Sequence, residues 1–214
     1  MTATNTARAG QTKKRTRIQA ENEEKILDGA LEVFSRYGYR GATVDQIAEA
    51  SGMSKPNLLY YFRRKHDIYV AVLRRTLEMW LRPLEEIRES GDPAQELTRY
   101  IEKKLEFSRT NPKESRLFAS EIIQGAPQLH PVLERQVHDL VERKATVLKA
   151  WADAGRIVDI DPRHLIFMIW ATTQHYADFE SQIEAIMPDR SRDQTIDEAY
   201  KVLTSVLLRG ILLR

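Results

Sequence analysis

Residues 43–69 are TVDQIAEASGMSKPNLLYYFRRKHDIY, and this stretch decides the fold because it contains two short helical patterns joined by a tight turn. Thr43 can cap the first pattern, and Gly52 can end it, since glycine adopts the left-handed conformation that follows many helices. Ser54 can cap the second pattern, and Pro56 falls in its first turn, where a missing N–H costs little. Two short helices joined in this way predict a helix-turn-helix motif.

The polar residues of the second pattern indicate a DNA-binding role. Leu58, Leu59 and Phe62 should face inward, which leaves polar side chains on the opposite face. A helix of this kind fits the major groove of DNA, while helix N-termini can hold phosphates. The candidate DNA-contacting residues are Thr43, Ser54, Lys55, Pro56, Asn57, Tyr60, Tyr61 and Lys65. The alternative is an ordinary helical hairpin within a helical domain.

The distribution of charge favours a polyanionic partner. The net charge of the 214-residue chain is only +2, but residues 1–65 contain 12 Lys and Arg against 7 Asp and Glu, whereas the remainder contains 21 against 24. We predict a flexible basic arm over residues 1–20. Its basic cluster consists of Lys13, Lys14, Arg15 and Arg17. This arm could bind DNA, either along the phosphate backbone or in the minor groove. The alternative is that it is a solubilising tail.

Composition excludes several classes of protein. There is no cysteine, which excludes a disulfide framework and a thiolate zinc site. No apolar stretch reaches the length of a membrane span, and the N-terminal residues lack the apolar segment of an export signal, so we expect a cytoplasmic protein with no membrane partner. The sequence has no glycine-rich phosphate loop, no HExxH motif and no nucleophile elbow, so we expect no enzymatic activity. His130, Glu134 and His138 could share one helix face as metal ligands, or they form a solvated charged face.

Helical periodicity continues through the rest of the chain, and no strand pattern occurs. The predicted helices outside the motif cover residues 21–37, 66–89, 97–108, 112–123, 127–155, 162–187 and 193–213. Pro83 should kink or break the helix in which it falls. We therefore predict an all-α protein with the flexible arm at 1–20, a helix-turn-helix domain at 21–65, and a ligand-binding and dimerisation domain at 66–214.

The last two predicted helices are unusually apolar. The first is apolar on nearly all sides from Leu165 to Ala171, so one side could line the interior while the other faces a partner. The second presents a stripe of apolar and small residues, namely Ile196, Ala199, Leu203, Val206 and Gly210. We predict that both helices pair with their copies in a four-helix interface of a homodimer. The alternative is that they complete a monomeric core.

Several aromatic residues and one amide indicate a ligand pocket. Trp170 and Gln174 are four residues apart and therefore lie side by side on one helix face. The Gln174 amide offers both a donor and an acceptor, which matches the imide or amide edge of a planar heterocycle, and the rings of Trp80 and Phe118 could stack on its faces. The alternative is that this aromatic stripe belongs to the core.

The residues of the motif resemble the TetR family of bacterial repressors. The matching positions are Thr43, Ile47, Ala48, Gly52, Leu59, Tyr60, Tyr61, Phe62, Lys65, Ile68, Tyr69, Ala71 and Val72. This resemblance covers about the first third of the chain, and the helical remainder suits the ligand and dimerisation domain of that family. It implies a repressor that binds a near-palindromic DNA operator as a dimer and responds to a small molecule.

Longer runs resemble the pyrimidine-responsive members of the same family. SKPNLLYYF at 54–62 and IDPRHLIFMIWATTQHYADF at 160–179 carry most of this resemblance, whereas the arm, residues 85–99 and the last helix depart from it. The resemblance implies release from DNA by uracil or thymine, with no further cofactor. It places Trp80, Phe118, Trp170, Gln174, Arg116 and Tyr176 at the pocket. The alternative is a repressor of the same family that responds to a different small molecule.

Overall fold

The computed structural model describes residues 17–213, which are almost entirely helical. The helices are α1 (Arg17–Gly41), α2 (Val44–Ala50), α3 (Lys55–Tyr61), α4 (Lys65–Glu85), α5 (Pro93–Thr110), α6 (Pro112–Ile123), α7 (His130–Val132), a π-helical turn (Leu133–Val137), α8 (His138–Asp153), α9 (Pro162–Asp178), α10 (Glu180–Ile186) and α11 (Arg192–Ile211). One isolated β-bridge joins Ile157 to Leu212. The predicted all-α fold class is confirmed.

Helices α1 to α3 form a small bundle at the N-terminal end. Helix α1 begins at Arg17, so the last four residues of the predicted arm are helical, whereas residues 1–16 lie outside the described part of the chain. The α1 helix is interrupted at Gly38, whose φ of 67° is a conformation that glycine adopts without strain. Gly52 has a φ of 65° and makes the turn between α2 and α3. This geometry is the predicted helix-turn-helix.

Helix α4 connects this bundle to the rest of the molecule. Its N-terminal half is buried against α1 through Ile68, Tyr69 and Val72, and its C-terminal half continues toward the second group of helices. It ends at Glu85, four residues earlier than predicted, and Pro83 lies buried in its last turn. Proline at that position removes one N–H donor, which favours termination shortly afterwards.

The second group of helices is organised around α5, which packs against α4, α6, α9 and α11. Helix α6 in turn contacts α1, α4 and α9, so it touches both groups. The buried side chains of α1 to α3 form one continuous cluster that also includes Trp80, Leu117 and Phe118. The interior of the N-terminal bundle is therefore continuous with the region in which the sequence places a ligand.

Residues 127–155 do not form the single helix that the sequence predicts. The chain first turns through Gly125 and Ala126, both with positive φ, and a helix begins only at His130. A π-helical turn at Leu133–Val137 then separates α7 from α8. Proline at 131 sits at the start of α7, where its missing N–H is tolerated, so the helix starts there and not at Pro127. Similarly, the predicted helix over 162–187 divides at Phe179 into α9 and α10.

Among residues 17–213, no helix is both long enough and apolar enough to span a bilayer.

Candidate DNA-binding and ligand-binding sites

Side-chain caps hold the two helices of the motif in place. The Thr43 hydroxyl accepts the Gln46 N–H at 3.2 Å, and the Gln46 side chain accepts the Thr43 N–H at 2.9 Å, which completes a capping box on α2. The Ser54 hydroxyl accepts the Asn57 N–H at 3.4 Å at the start of α3. Leu58 is fully buried, and it fixes which face of α3 points outward.

Most of the predicted DNA-contacting residues lie exposed on α3 or at a helix N-terminus. These exposed residues are Thr43, Ser54, Lys55, Pro56, Asn57 and Tyr60. The Tyr60 ring is 72% exposed, and the Lys55 ammonium lies 2.9 Å from the Asp45 carboxylate at the surface. A surface ion pair of this kind contributes little to stability, so Lys55 is available for a phosphate or base.

Two predicted DNA-contacting residues are instead occupied by contacts within the chain. Lys65 Nζ donates to the carbonyls of Tyr39 and Ala42, both at 2.7 Å, and lies 4.7 Å from the centroid of the Tyr39 ring. The Tyr61 hydroxyl accepts a hydrogen bond from Asn22 Nδ2 at 2.8 Å. The structure therefore places Lys65 and Tyr61 where they position α3 and α4 against α1 and the segment after it.

A cavity of about 400 Å³ lies between α4, α5, α6, the π-helical turn and α9. It brings together four of the six residues that the sequence assigns to the pocket: Trp80, Phe118, Trp170 and Gln174. The remaining lining residues are Leu77, Leu81, Lys104, Ala119, Ile122, Ile123, Leu133, Val137 and Asp178. The wall is mostly aliphatic and aromatic, with a few polar groups, as is typical of small-molecule sites.

The two tryptophans of the cavity differ in the hydrogen bonding of their indole nitrogens. The Trp80 and Phe118 rings lie 5.4 Å apart and are tilted, so they form one wall. Trp170 Nε1 donates to the buried Tyr100 hydroxyl at 2.6 Å. Trp80 Nε1 is buried, and within the described residues it has no hydrogen-bond partner. A buried donor without an acceptor is costly, so the two indole nitrogens differ in how well they are satisfied.

Sequence reasoning missed the two charged residues of the cavity, Lys104 and Asp178. Lys104 is 2% exposed, and burial lowers its pKa to about 7 although the Asp178 carboxylate opposes this effect. Burial raises the pKa of Asp178, while a hydrogen bond from the Ser115 hydroxyl and the charge of Lys104 act against that rise. Lys104 and Asp178 lie on amphipathic helices, where charged residues usually face solvent. The sequence signal for a buried Lys104 is its position between the apolar residues Ile101 and Leu105.

Two predicted pocket residues lie outside this cavity. Arg116 is exposed on α6, and it donates to the Glu180 carboxylate at 2.6 Å and to the Ala177 carbonyl at 3.4 Å. Tyr176 lies on another side of α9, beside Ile183 of α10 at a smaller void of about 50 Å³. Two residues along an α-helix turn a side chain by about 200°, so Tyr176 points to another side of α9 than Gln174, and neither Arg116 nor Tyr176 lines the cavity.

Another concave surface of the described chain is less suited to a small ligand. An open groove of about 710 Å³ between α8 and the start of α9 is lined by charged side chains that already pair, such as Lys149 with Asp159 at 3.0 Å and Arg163 with Glu142 at 2.6 Å. No cluster of three or more potential metal ligands occurs among residues 17–213. Of the trio His130, Glu134 and His138, the first two lie together, with His130 Nδ1 3.4 Å from the Glu134 carboxylate, whereas His138 Nδ1 lies 3.3 Å from the Asp139 carboxylate.

A polar network, buried at Tyr69 and Glu121 and exposed at His66, connects the start of α4 to the end of α6. The Tyr69 hydroxyl donates to Glu121 at 3.1 Å, and the same carboxylate accepts the Gln128 N–H at 2.6 Å. The Gln128 side-chain oxygen lies 2.6 Å from His66 Nε2 in the first turn of α4. Between Glu121 and Gln128, Ala126 has a φ of 53°, which is strained for a non-glycine residue. The network thus joins a helix of the cavity wall to the helix that follows α3.

Comparison with protein families covers nearly the whole described chain. Residues 26–72 match the model of bacterial regulatory proteins of the tetR family, and residues 73–214 match the model of the YcdC-like protein C-terminal region. The chain is 43% identical over 201 residues to the HTH-type transcriptional regulator RutR of Escherichia coli strain K12, which covers 94% of this chain and 95% of that protein.

Solved structures with the same fold include two regulators. The ketosteroid transcriptional regulator KstR2 of Mycobacterium tuberculosis aligns with a TM-score of 0.68 and 18% identity over 90% of this chain and 95% of its own. A TetR-like transcriptional regulator from Rhodococcus sp. RHA1 aligns with a TM-score of 0.64 and 23% identity over 89% of this chain and 96% of its own. The helix-turn-helix, the helical C-terminal region and these matches together show that the chain belongs to the TetR family of bacterial transcription regulators and is not an enzyme.

Proposed function

We propose that this regulator is a dimeric repressor that binds a near-palindromic DNA operator and is released from it by a pyrimidine such as uracil or thymine. The exposed residues of α3, with the capped N-termini of α2 and α3, supply the DNA contacts. Each α3 enters the major groove of one half-site, so the half-site centres lie about one helical turn apart or a multiple of it. In this proposal residues 21–65 act as the DNA-binding domain, and residues 66–214 bind the effector and form the dimer of a cytoplasmic protein.

The observation that carries the pyrimidine assignment is the position of Gln174 beside Trp170 in the cavity. Trp80 and Phe118 supply the aromatic wall for stacking, and Gln174 supplies a donor and an acceptor for the imide edge of the ring. The identity of 43% to RutR over 94% of the chain supports a shared effector class. Arg116 and Tyr176 have no part in this proposal, because they lie outside the cavity.

The effector would act through the network at the end of α6. Phe118, Ala119 and Ile122 of α6 line the cavity, while Glu121 on the same helix is bonded to Tyr69 of α4. A ligand that fills the cavity and shifts α6 would therefore move α4, which follows α3 directly. In a two-fold dimer such a movement changes the distance between the two α3 helices, and the operator then no longer fits.

Calorimetric titration of the purified protein with uracil, thymine, cytosine and uridine tests this function. We expect binding of uracil and thymine, and rejection of cytosine, whose edge presents a different order of donors and acceptors. Each binding pyrimidine should also release the protein from its operator in a gel-shift or anisotropy assay. If none of the four binds, the pyrimidine assignment is wrong, although the family assignment stands.

Substitution of Gln174 gives a sharper test of the site. We expect Gln174→Ala to weaken uracil binding by about 1–3 kcal/mol, because the imide edge would be buried without a partner. Gln182→Ala on α10 is the matched control, since Gln182 is exposed and lies outside the cavity. Unchanged uracil affinity in a folded Gln174→Ala protein would show that the amide does not contact the ligand.

The alternative effector, a larger apolar molecule, is favoured by one observation. The cavity of about 400 Å³ lies within the range of about 300–1,000 Å³ typical of drug-sized ligands. Its aliphatic wall comprises Leu77, Leu81, Ile122, Ile123, Leu133 and Val137. A thermal-shift screen separates the two effector classes, since a ligand at 100 times its dissociation constant stabilises the protein by about 2.7 kcal/mol.

A further inference from the structure

A second void, of about 440 Å³, lies between α1 of the N-terminal bundle and α6, outside the cavity described above. Three of its lining side chains are cationic, and we call this void the cationic groove after them: Arg36, Lys113 and Arg116. Among the described residues that line the groove, Glu32 is the single carboxylate. The lining side chains therefore carry three positive charges against one negative charge.

Helical spacing explains how these side chains converge. Lys113, Arg116 and Ser120 follow one another at i, i+3 and i+7 on α6, so they share one face of that helix. Glu32 and Arg36 are four residues apart and share one face of α1. Because α1 and α6 pack against each other, the two faces form the two walls of one groove.

The three cations remain available to an anion. Arg36 is exposed, and within residues 17–213 it forms no ion pair. Lys113 Nζ lies 2.6 Å from the Glu32 carboxylate, and both side chains are about half exposed. Arg116 lies 2.6 Å from Glu180 and is 43% exposed. Ion pairs in contact with solvent contribute little to stability, so an incoming anion can share or replace these partners.

Hydroxyl groups and an apolar floor complete the groove. Ser35 and Ser120 line it, and Ser120 Oγ accepts a hydrogen bond from Gln124 Nε2 at 3.0 Å, so its own hydrogen can be donated to a ligand. Phe34 and Leu117 lie beneath and are buried. Guanidinium groups bind phosphate oxygens in pairs, and an ammonium binds them as a point charge. This set of groups fits a phosphate attached to a small organic body.

We propose that the cationic groove is a second small-molecule site, which binds a phosphorylated small molecule between α1 and α6. Its volume of about 440 Å³ falls within the range of about 300–1,000 Å³ typical of such sites. A bound phosphate would offset the repulsion among the three cations that converge there. Its oxygens would connect Arg36 of the N-terminal bundle to Lys113 and Arg116 of α6. The proposal does not depend on which effector fills the other cavity.

The site has a consequence for regulation, which rests on the proposed function. Another face of α6 lines the effector cavity through Phe118, Ala119 and Ile122. A phosphate that bridges α1 and α6 would resist the shift of α6 by which the effector releases the operator. Because coupling between two binding sites is reciprocal, the effector should weaken phosphate binding by the same factor by which the phosphate weakens effector binding.

Calorimetric titration with inorganic pyrophosphate, at an ionic strength held constant with sodium chloride and without operator, tests the site itself. We expect Arg36→Gln to weaken pyrophosphate binding by at least about tenfold, the typical effect of losing a charge-assisted hydrogen bond. Arg36 has no ion-pair partner within residues 17–213, so this variant leaves no carboxylate unpaired. Arg74→Gln on α4 is the matched control, since it removes the same charge from an exposed residue outside the groove.

Anisotropy titrations of labelled operator measure the regulatory consequence. With saturating pyrophosphate at the same ionic strength, the uracil concentration that releases half of the operator should rise by at least about fivefold in the wild type and in Arg74→Gln. It should stay unchanged in Arg36→Gln. An unchanged uracil concentration in a wild type that binds pyrophosphate would overturn the regulatory consequence.

Two results of the calorimetry would overturn the site. If the wild type does not bind pyrophosphate, the groove is not a phosphate site. If Arg36→Gln binds pyrophosphate as tightly as the wild type does, the anion binds elsewhere on the protein. Neither result affects the proposed function, whereas a failure of uracil to release the operator would count against the proposed function and leave the site to be judged by the calorimetry.

Discussion

At the scale of single residues, the contact between α1 and α2 depends on Gly29. A Cβ atom at this position would lie 2.5 Å from Ser51 Oγ and 2.8 Å from the Ser51 backbone nitrogen. Backbone atoms cannot move aside as a flexible side chain can. We therefore expect Gly29→Ala to lower the free energy of unfolding by about 1–3 kcal/mol, as other overpacked cores do, although alanine favours a helix by about 1 kcal/mol over glycine.

Urea unfolding followed by circular dichroism measures this effect. Gly41→Ala at the end of the same helix is the matched control, because a Cβ there would meet only the Tyr37 side chain, at 3.4 Å. The control should be nearly neutral or slightly stabilising. Equal stability of the Gly29→Ala protein and the wild type would contradict this prediction. It would show that α1 and α2 can move apart without a cost in free energy.

Single residues also show how far a local sequence pattern predicts the contacts of a side chain. The i, i+4 spacing of Trp170 and Gln174 was sufficient to place both at one cavity, because a long helix fixes the relative direction of its side chains. Lys65 was predicted to contact DNA from its place after α3, but its ammonium satisfies two carbonyls of the segment between α1 and α2. The free carbonyls that attract Lys65 arise only when the chain is folded, so no local pattern reveals them.

At the scale of elements, the coupling between the cavity and α3 depends on the hydrogen bond between α4 and α6. We expect Tyr69→Phe to leave the buried ring in place and to remove the 3.1 Å bond to Glu121. One hydrogen bond contributes about 1 kcal/mol, so the factor by which the effector weakens operator binding should fall by about fivefold. Anisotropy titrations of labelled operator with and without saturating uracil measure that factor.

The control for this prediction is Tyr37→Phe, at a half-exposed tyrosine of α1, because the bonds of Glu121 are made to Tyr69 and Gln128. Both proteins should bind operator in the absence of effector. An unchanged factor in Tyr69→Phe would show that the signal passes from α6 to α4 by another route, such as the packing of Trp80 on Phe118.

Elements differ in how far the sequence determines them. Asp161 and Pro162 fix the start of α9, as predicted, because the Asp161 carboxylate accepts the Arg163 N–H at 2.9 Å and proline suits the first turn. The π-helical turn at Leu133–Val137 was not predictable, because its apolar residues also fit an α-helical period. It brings Leu133 and Val137 to the cavity, and such turns are frequent at functional sites.

At the scale of the whole molecule, apolar side chains remain exposed on α9 and α11, the long helices predicted to form the dimer. Phe167 and Met168 of α9 are 48% and 41% exposed, and Val202 and Val206 of α11 are 58% and 65% exposed. Large apolar patches at a surface are typical of protein interfaces. Two copies joined by a two-fold axis would bury these side chains and would present two α3 helices to the two halves of an operator.

A charge in this face should therefore separate the subunits. We expect the wild type to have twice the chain mass of 24.8 kDa in light scattering, and Val206→Glu to have the mass of one chain, because an unpaired carboxylate at an apolar interface is strongly disfavoured. Ile18→Glu, at a residue of α1 that is 69% exposed, is the control and should keep the mass of the wild type.

Because each monomer carries one α3, Val206→Glu should also lose tight operator binding while it retains uracil binding in its own cavity. A dimeric Val206→Glu protein would place the interface on another face, and a monomeric wild type at micromolar concentration would exclude the two-fold arrangement altogether.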